Sequence, residues 1–281
     1  MRLTGKAKKA GVMGWPVAHS RSPALQGYWL DHYGIDGAYI PLPVRPAELS
    51  AALRALPILG FAGCNLTIPH KEAALGLVDR VEPLAARIGA INTILVDEEG
   101  RLEGRNTDAF GFIANLRAGA PEWRADRGPA TIIGAGGAAR AVIAALIEAG
   151  LPEIRLVNRS IDRARALAAE LGGPIAVTEW GSRHEALSDA ALLINTTSQG
   201  MSGEAPLDLR LDLLPATAIV NDIVYVPLET PLLAAAMRRG NPVVDGLGML
   251  LYQAQPGFAA WFGVTPEVTP ELRRAVLATL S

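Results

Sequence analysis

The chain has 281 residues, of which 50% are hydrophobic and 19% charged, enough to bury two cores of ordinary domain size. Its formal net charge of −2 supplies no global attraction to nucleic acid or an anionic membrane, and no run approaches the roughly 20 apolar residues of a membrane span. The one cysteine, Cys64, excludes an intrachain disulfide, and the basic start MRLTGKAKKAGVMGWP lacks an apolar segment of signal-peptide length, so the sequence reads as a cytoplasmic protein.

Apolar runs alternate with helical patterns along the chain, which predicts parallel sheets covered by helices. In the first part, strands are expected near residues 10–13, 38–42, 61–66 and 93–97, and helices near 23–33, 46–56 and 83–88. A connecting helix follows over 108–118, then a polar, proline-bounded loop at 121–129. Beyond it the pattern predicts a strand at 131–133, a helix at 137–149, a second strand ending at Asn158, and a helix over 161–171. Strands near 192–195, 218–222 and 242–245 surround a helix at 231–239. The tail from 247 reads as helical, and its apolar faces require a partner, which is expected to be the first lobe. The fold class is therefore two-lobed α/β. An N-terminal lobe, residues 1–110 completed by 246–281, has a mostly parallel sheet; a Rossmann-like lobe spans 111–245.

The segment ATIIGAGGAARAVIAALIEAG carries the clearest chemistry. Gly134 permits a tight turn after an apolar strand, and Gly136 lets backbone approach a pyrophosphate. Gly137 and Ala138 open a helix whose positive end faces that anion, and Ala139 keeps helix and strand close. A carboxylate closing the second strand would bind a free ribose 2′-hydroxyl, but Asn158 is neutral. Arg159 beside it and Arg163 one helical turn on suit a 2′-phosphate. The segment predicts NADP rather than NAD.

Four short polar constellations precede it. In GWPVAHSRSP, Ser20 and Ser22 present hydroxyls just ahead of a proline-led helix, a donor set that suits a carboxylate, although an ordinary capped helix has the same form. In GCNLTIPHK, Lys71 stands near a helix start, where the dipole disfavours an ammonium and favours proton transfer. GAINT offers Asn92 as donor and acceptor, and GRNTD offers Asp108 as a functional carboxylate or a helix cap. His19, His32, His70 and His184 lack metal-ligand spacing with one another or with Cys64, and His70 reads as a surface or packing residue.

Together with NTTSQGM (195–201), DIVYVP (222–227) and DGLGMLLYQA (245–254), the order and spacing of these segments resemble the shikimate dehydrogenase family, over residues 14 to about 255. The resemblance implies reversible NADPH-dependent reduction of 3-dehydroshikimate to shikimate in the pathway to chorismate and the aromatic amino acids. It implies that Ser20 and Ser22 hold the substrate carboxylate, and that Thr67, Lys71, Asn92, Asp108 and Gln253 surround the ring hydroxyls. Lys71 and Asp108 form its catalytic pair, Tyr225 lies close to the substrate, and Gly246 and Met249 lie near the nicotinamide. Arg159 and Arg163 fall on its adenosine-phosphate site. No metal, nucleic acid or membrane is implied, and monomer and homodimer are both open. The chain has Gln26-Gly27 where the family commonly has His-Asn. An NAD-preferring quinate/shikimate dehydrogenase would carry an acid near Asn158, and often a threonine in the serine pair.

Overall fold

The structure is a computed structural model and describes residues 3–280. The chain divides into two compact units: one runs through Thr107 and resumes at Leu251, and the other is Asp108–Leu250.

The first unit contains, in chain order, β1 (Lys8–Gly14), α1 (Ser22–His32), β2 (Gly37–Pro43), α2 (Leu49–Ile58), β3 (Phe61–Leu66) and the single turn α3 (His70–Ala73). It continues through β4 (Arg80–Val81), α4 (Pro83–Ile88), β5 (Thr93–Val96) and β6 (Leu102–Arg105). The second unit begins with α5 (Asp108–Gly119), followed by β7 (Ala130–Ile133), α6 (Gly137–Glu148), β8 (Ile154–Val157), α7 (Ile161–Leu171) and β9 (Ile175–Thr178). It ends with β10 (Leu192–Asn195), β11 (Ile219–Asp222), α8 (Pro231–Arg238), β12 (Val243–Val244) and the start of α9 (Leu247–Phe262), which carries the chain back before α10 (Pro270–Leu277).

Prolines begin several of these helices: Pro23 in α1, Pro83 in α4, Pro231 in α8 and Pro270 in α10 each stand in the first turn, where no intrahelical N–H is needed. Thr230 and Thr269 add side-chain caps, accepting from Leu233 N–H and Leu272 N–H.

The first sheet has the strand order β2-β1-β3-β5-β6-β4. β1 runs parallel to β2 and β3, and β4 parallel to β6, whereas β5 is antiparallel to both neighbours. Its core gathers Leu49, Leu53 and Leu56 of α2 with Met13, Leu66 and Ile94 of the sheet and with Cys64, whose thiol burial pushes well above its ordinary range. The tail packs on this unit. Trp261 Nε1–H donates to the Ile94 carbonyl at 3.0 Å, Trp29 Nε1–H to that of Glu267 at 2.9 Å, and α10 packs on α1.

The second sheet, β12-β11-β10-β7-β8-β9, is parallel throughout. Counted from β7, its spatial order is 3-2-1-4-5-6, the doubly wound order in which ligands bind beyond the strand ends where the order reverses. That point is between β7 and β10.

Three strands lie outside the sequence expectations: β4, β6 and β9. β6 forms a hairpin with β5 through the turn at Asp97–Gly100, where Gly100 has a φ of +75°. The loop expected at 121–129 contains a 3-10 turn, Ala125–Arg127, and the tail expected to be helical consists of α9 and α10.

Candidate active site

In the first unit, parallel β1 and β3 end at the same edge of the sheet, and the loops leaving them are fastened together. Thr67 N–H donates to Met13 O at 2.9 Å, and Trp15 N–H to Ile68 O at 3.1 Å. Gly14 is required by this closeness, because a Cβ there would stand 2.4 Å from Thr67 Cγ2. The first loop leads to half-buried Ser20, whose Oγ accepts from Ser22 N–H at 3.3 Å. Ser22 is the first residue of α1, and Arg21 before it gives that helix no side-chain cap.

The second loop leads to half-buried Lys71 in α3, whose carbonyl accepts from Ile91 N–H at 2.8 Å. α3 is a single turn, so its dipole is smaller than a full helix would supply; what the fold gives Lys71 is a fixed position. His70 beside it is buried, with Nε2 2.8 Å from Val44 O, which can only accept, so it is a packing residue with its hydrogen on Nε2.

Asn92 is the centre of a buried polar network. Its Oδ1 accepts from Thr107 N–H at 2.8 Å, from Thr93 Oγ1 at 3.0 Å and from Thr107 Oγ1 at 3.2 Å. Its Nδ2 is 3.5 Å from Gln253 Oε1, which Thr107 Oγ1 also approaches at 3.5 Å. Asn65 Nδ2 donates to Asn92 O at 3.0 Å and to Thr93 Oγ1 at 3.1 Å, which turns Asn65 Oδ1 toward Tyr39 OH, 2.6 Å away. The Tyr39 phenol is buried, which pushes its ionisation well above the usual range, and the Ser22 hydroxyl is its other hydrogen-bond partner. Ser22, Asn92 and Gln253 therefore belong to one chain of hydrogen bonds. Tyr39, Asn65, Thr93 and Thr107, which complete it, were not singled out from sequence. Asn65 and Thr107 lie within the segments GCNLTIPHK and GRNTD, but nothing in the composition of β2 marks Tyr39.

In the second unit, Asp108 is the first residue of α5 and half-buried, a favourable place for a carboxylate. Gly134 follows β7 at the point where the strand order reverses. Its φ is +111°, and a Cβ would stand 2.6 Å from Thr196 Oγ1, so both turn and packing require glycine. By contrast, a Cβ on Gly136 or Gly137 would meet nothing within 4 Å, leaving open space over the α6 N-terminus. Ala138 is half-buried there, and Ala139 is fully buried against the sheet.

At the end of β8, Asn158 Nδ2 donates to Ser160 O at 2.8 Å, and Ser160 caps α7. Arg159 and Arg163 are exposed on either side, and among the described residues neither guanidinium has an ion-pair partner. An open glycine turn, a helix N-terminus and two uncommitted guanidiniums fit a dinucleotide bearing an additional phosphate.

Beyond β10, Asn195 Nδ2 donates to Asp222 Oδ1 at 3.0 Å, and Thr230 Oγ1 donates to Asp222 Oδ2 at 2.7 Å. Val224 N–H also donates to Asp222 Oδ1 at 3.0 Å, fixing the start of the loop that carries half-buried Tyr225. Gly246 packs on the same loop: a Cβ there would lie 2.2 Å from Ile223 O. Met249, in the first turn of α9, is half-buried. Among the described residues no group of three His, Cys, Asp or Glu stands together as a metal site, and no helix is long and apolar enough to cross a membrane.

The fold and the two sets of residues define a doubly wound dinucleotide-binding unit inserted in the chain of an α/β unit that holds a buried network of amides and hydroxyls. The family model for the shikimate dehydrogenase substrate binding domain matches residues 12–94, and that for shikimate / quinate 5-dehydrogenase matches residues 122–202. The shikimate dehydrogenase (NADP(+)) of Paramagnetospirillum magneticum is 62% identical, over 98% of this chain and 100% of its own. The shikimate 5-dehydrogenase of Thermus thermophilus, solved in complex with NADP(H) and shikimate, superposes with a TM-score of 0.85 at 40% identity, over 96% of this chain and 99% of that one. A quinate dehydrogenase of Corynebacterium glutamicum in complex with NAD gives 0.90 at 30% identity, over 97% and 99%. The chain belongs to the shikimate dehydrogenase family.

Proposed function

We propose that this protein is an NADP-dependent shikimate dehydrogenase, interconverting 3-dehydroshikimate and shikimate. The observation that carries the reading is the gathering of Ser22, Asn92, Thr107 and Gln253, distant in sequence, into one buried network. That network clusters amide and hydroxyl groups where β3 and β6 end and β5 begins, a setting for a small polyhydroxylated acid. Ser20 and Ser22 hold the carboxylate at the uncapped start of α1, while Thr67, Asn92 and Gln253 take ring hydroxyls and Tyr225 lies close to the substrate. Gly134, Gly136, Gly137, Ala138 and Ala139 cradle the pyrophosphate, Asn158, Arg159 and Arg163 take the adenosine end, and Gly246 and Met249 flank the nicotinamide.

When bound, NADPH supplies the hydride. Reduction of a ketone leaves negative charge on its oxygen, which must be neutralised as it forms. Lys71 donates the proton to that oxygen, and Asp108 accepts from the resulting hydroxyl and orients it. In the oxidation direction the same two groups take the proton away. The enzyme is assigned to the cytoplasm, as a monomer or homodimer.

The test is to follow NADPH absorbance with shikimate plus NADP, with quinate and NAD as crossed controls. Reduction of NADP by shikimate is expected, and Lys71→Ala should lower kcat by about 10²–10⁴-fold with little change in KM. Reduction only in the NAD or quinate pairs would move the protein to the neighbouring quinate-oxidising class. A Lys71→Ala variant altered only in KM would make Lys71 a binding group.

A further inference from the structure

Asp222 and Asn195 end the neighbouring parallel strands β11 and β10, opposite each other in the register and both fully buried. The two oxygens of Asp222 meet three donors: Asn195 Nδ2–H and Val224 N–H at Oδ1, and the Thr230 hydroxyl at Oδ2. An acceptor-only group satisfies all three, whereas an amide would turn its own N–H bonds on one of them.

What this carboxylate holds together is the set of loops beyond the strand ends. Asn195 Nδ2 also donates to Gln199 O at 3.1 Å, and its Oδ1 accepts from Thr197 N–H at 3.0 Å and from Thr197 Oγ1 at 2.7 Å, so the same side chain shapes the loop after β10. That loop abuts the glycine turn after β7: Thr196 Oγ1 donates to Ile133 O at 2.8 Å and stands 2.6 Å from where a Cβ on Gly134 would lie. It is also tied to the loop carrying Tyr225, because Ser202 N–H donates to Val226 O at 2.8 Å and Ile223 N–H to Asn195 O at 3.1 Å. The Asn195–Asp222 pair therefore links three loops at the carboxyl ends of a doubly wound sheet, where ligands bind.

We propose that Asp222 is a positioning residue for hydride transfer: through Asn195 and the Val224 amide it keeps the loop of Tyr225, on which Gly246 packs, in register with the Gly134 turn. The assignment rests on the proposed function, which sets Tyr225 beside the substrate and Gly246 beside the nicotinamide. Asp222 is buried and touches neither, so its loss misplaces the reacting ends and spares the adenosine end.

Asn195→Ala and Asp222→Ala each free the loop and should lower kcat for shikimate oxidation by about 10–100-fold, the effect of a small misplacement at the reacting carbon. Kd for NADP should stay within about threefold, because the pyrophosphate turn and the adenosine end are unaltered. With shikimate deuterated at the carbon that is oxidised, the isotope effect on kcat should rise in both variants as hydride transfer becomes limiting; a role in folding alone would lower Tm and leave the isotope effect unmoved. Asp222→Asn, whose oxygen can still accept from Asn195 and Val224, should recover kcat to within about threefold of the wild type. An Asp222→Asn protein as slow as Asp222→Ala overturns the proposal, since charge rather than placement would then be at work. So does an Asn195→Ala protein with unchanged kcat and isotope effect, even if Asp222→Ala does not fold. If the wild type itself fails to reduce NADP with shikimate, the proposed function fails and this role with it; if it succeeds and Asn195→Ala matches it, only the role of Asp222 fails.

Discussion

At the scale of single residues, the cofactor choice is the most exposed to test. Arg159 and Arg163 are solvent-facing cations without ion-pair partners among the described residues, whereas Arg140 and Arg155 are engaged by Glu170 and by Glu153 and Asp189. A guanidinium held by carboxylates has little left for a phosphate; an uncommitted one can meet it bidentately. Arg159→Ala is therefore expected to lower kcat/KM with NADP by about 10–100-fold while changing that with NAD little, since one charge-assisted pair contributes roughly 1.5–3 kcal/mol. Equal losses with both cofactors, measured by steady-state kinetics, would remove the 2′-phosphate from the argument. Asn158 is committed to the turn that caps α7, so it shapes the loop that carries Arg159 and adds no charge to it.

At the scale of elements, the crossing of β3 and β5 is where a small change should cost most. Gly63 has a φ of +150°, and a Cβ would stand 2.0 Å from Ile94 O and 2.4 Å from Trp261 Nε1, displacing the hydrogen bond that fastens α9 to the sheet. Gly63→Ala should destabilise the first unit by about 3 kcal/mol or more, read as a lower denaturant midpoint. Elements bounded by strong local signals were legible in the sequence: Pro23, Pro83 and Pro231 mark helix starts, and largely apolar, buried runs mark β1, β3, β7 and β10. β4, β6 and β9 were not, because Arg80-Val81, Leu-Glu-Gly-Arg and Ile-Ala-Val-Thr are short and half-exposed, and pairing rather than propensity makes them strands. The same division runs through the candidate site. Ser20, Lys71 and Asp108 sit in recognisable local segments, but the link from Tyr39 to Asn65 exists only because β2 and β3 flank β1, which no local pattern encodes.

At the scale of the whole molecule, stability should depend on a buried carboxyl held by neutral hydrogen-bond donors. Burial pushes Asp222 up to about 6, against the hydrogen bonds from Thr230, Val224 and Asn195 that pull it down, and no charged group contributes. An unfolded aspartate titrates near roughly 4. Between these values the folded state binds more protons than the unfolded one, so the stabilising contribution is complete below about pH 4 and is lost as pH rises through about 6. The loss amounts to roughly 3 kcal/mol at 1.36 kcal/mol per unit. Denaturant titrations at pH 4.5 and 7 should show this slope, and Asp222→Asn should flatten it; an unchanged difference would mean that Asp222 is ionised throughout.

The return of the chain at Leu251 also sets a timetable. A ribosome delivers residues in order, and domains ordinarily close from the N-terminus onward. Here the first unit lacks Phe258 and Trp261 until the last stretch is made, whereas Asp108–Leu250 is continuous and emerges whole. The middle of the polypeptide is thus the first part able to finish folding, and the earliest-made strands wait for the latest-made helices with the side of the sheet beneath Trp261 uncovered. For a nascent chain, that interval is the time of greatest exposure to chaperones and to aggregation.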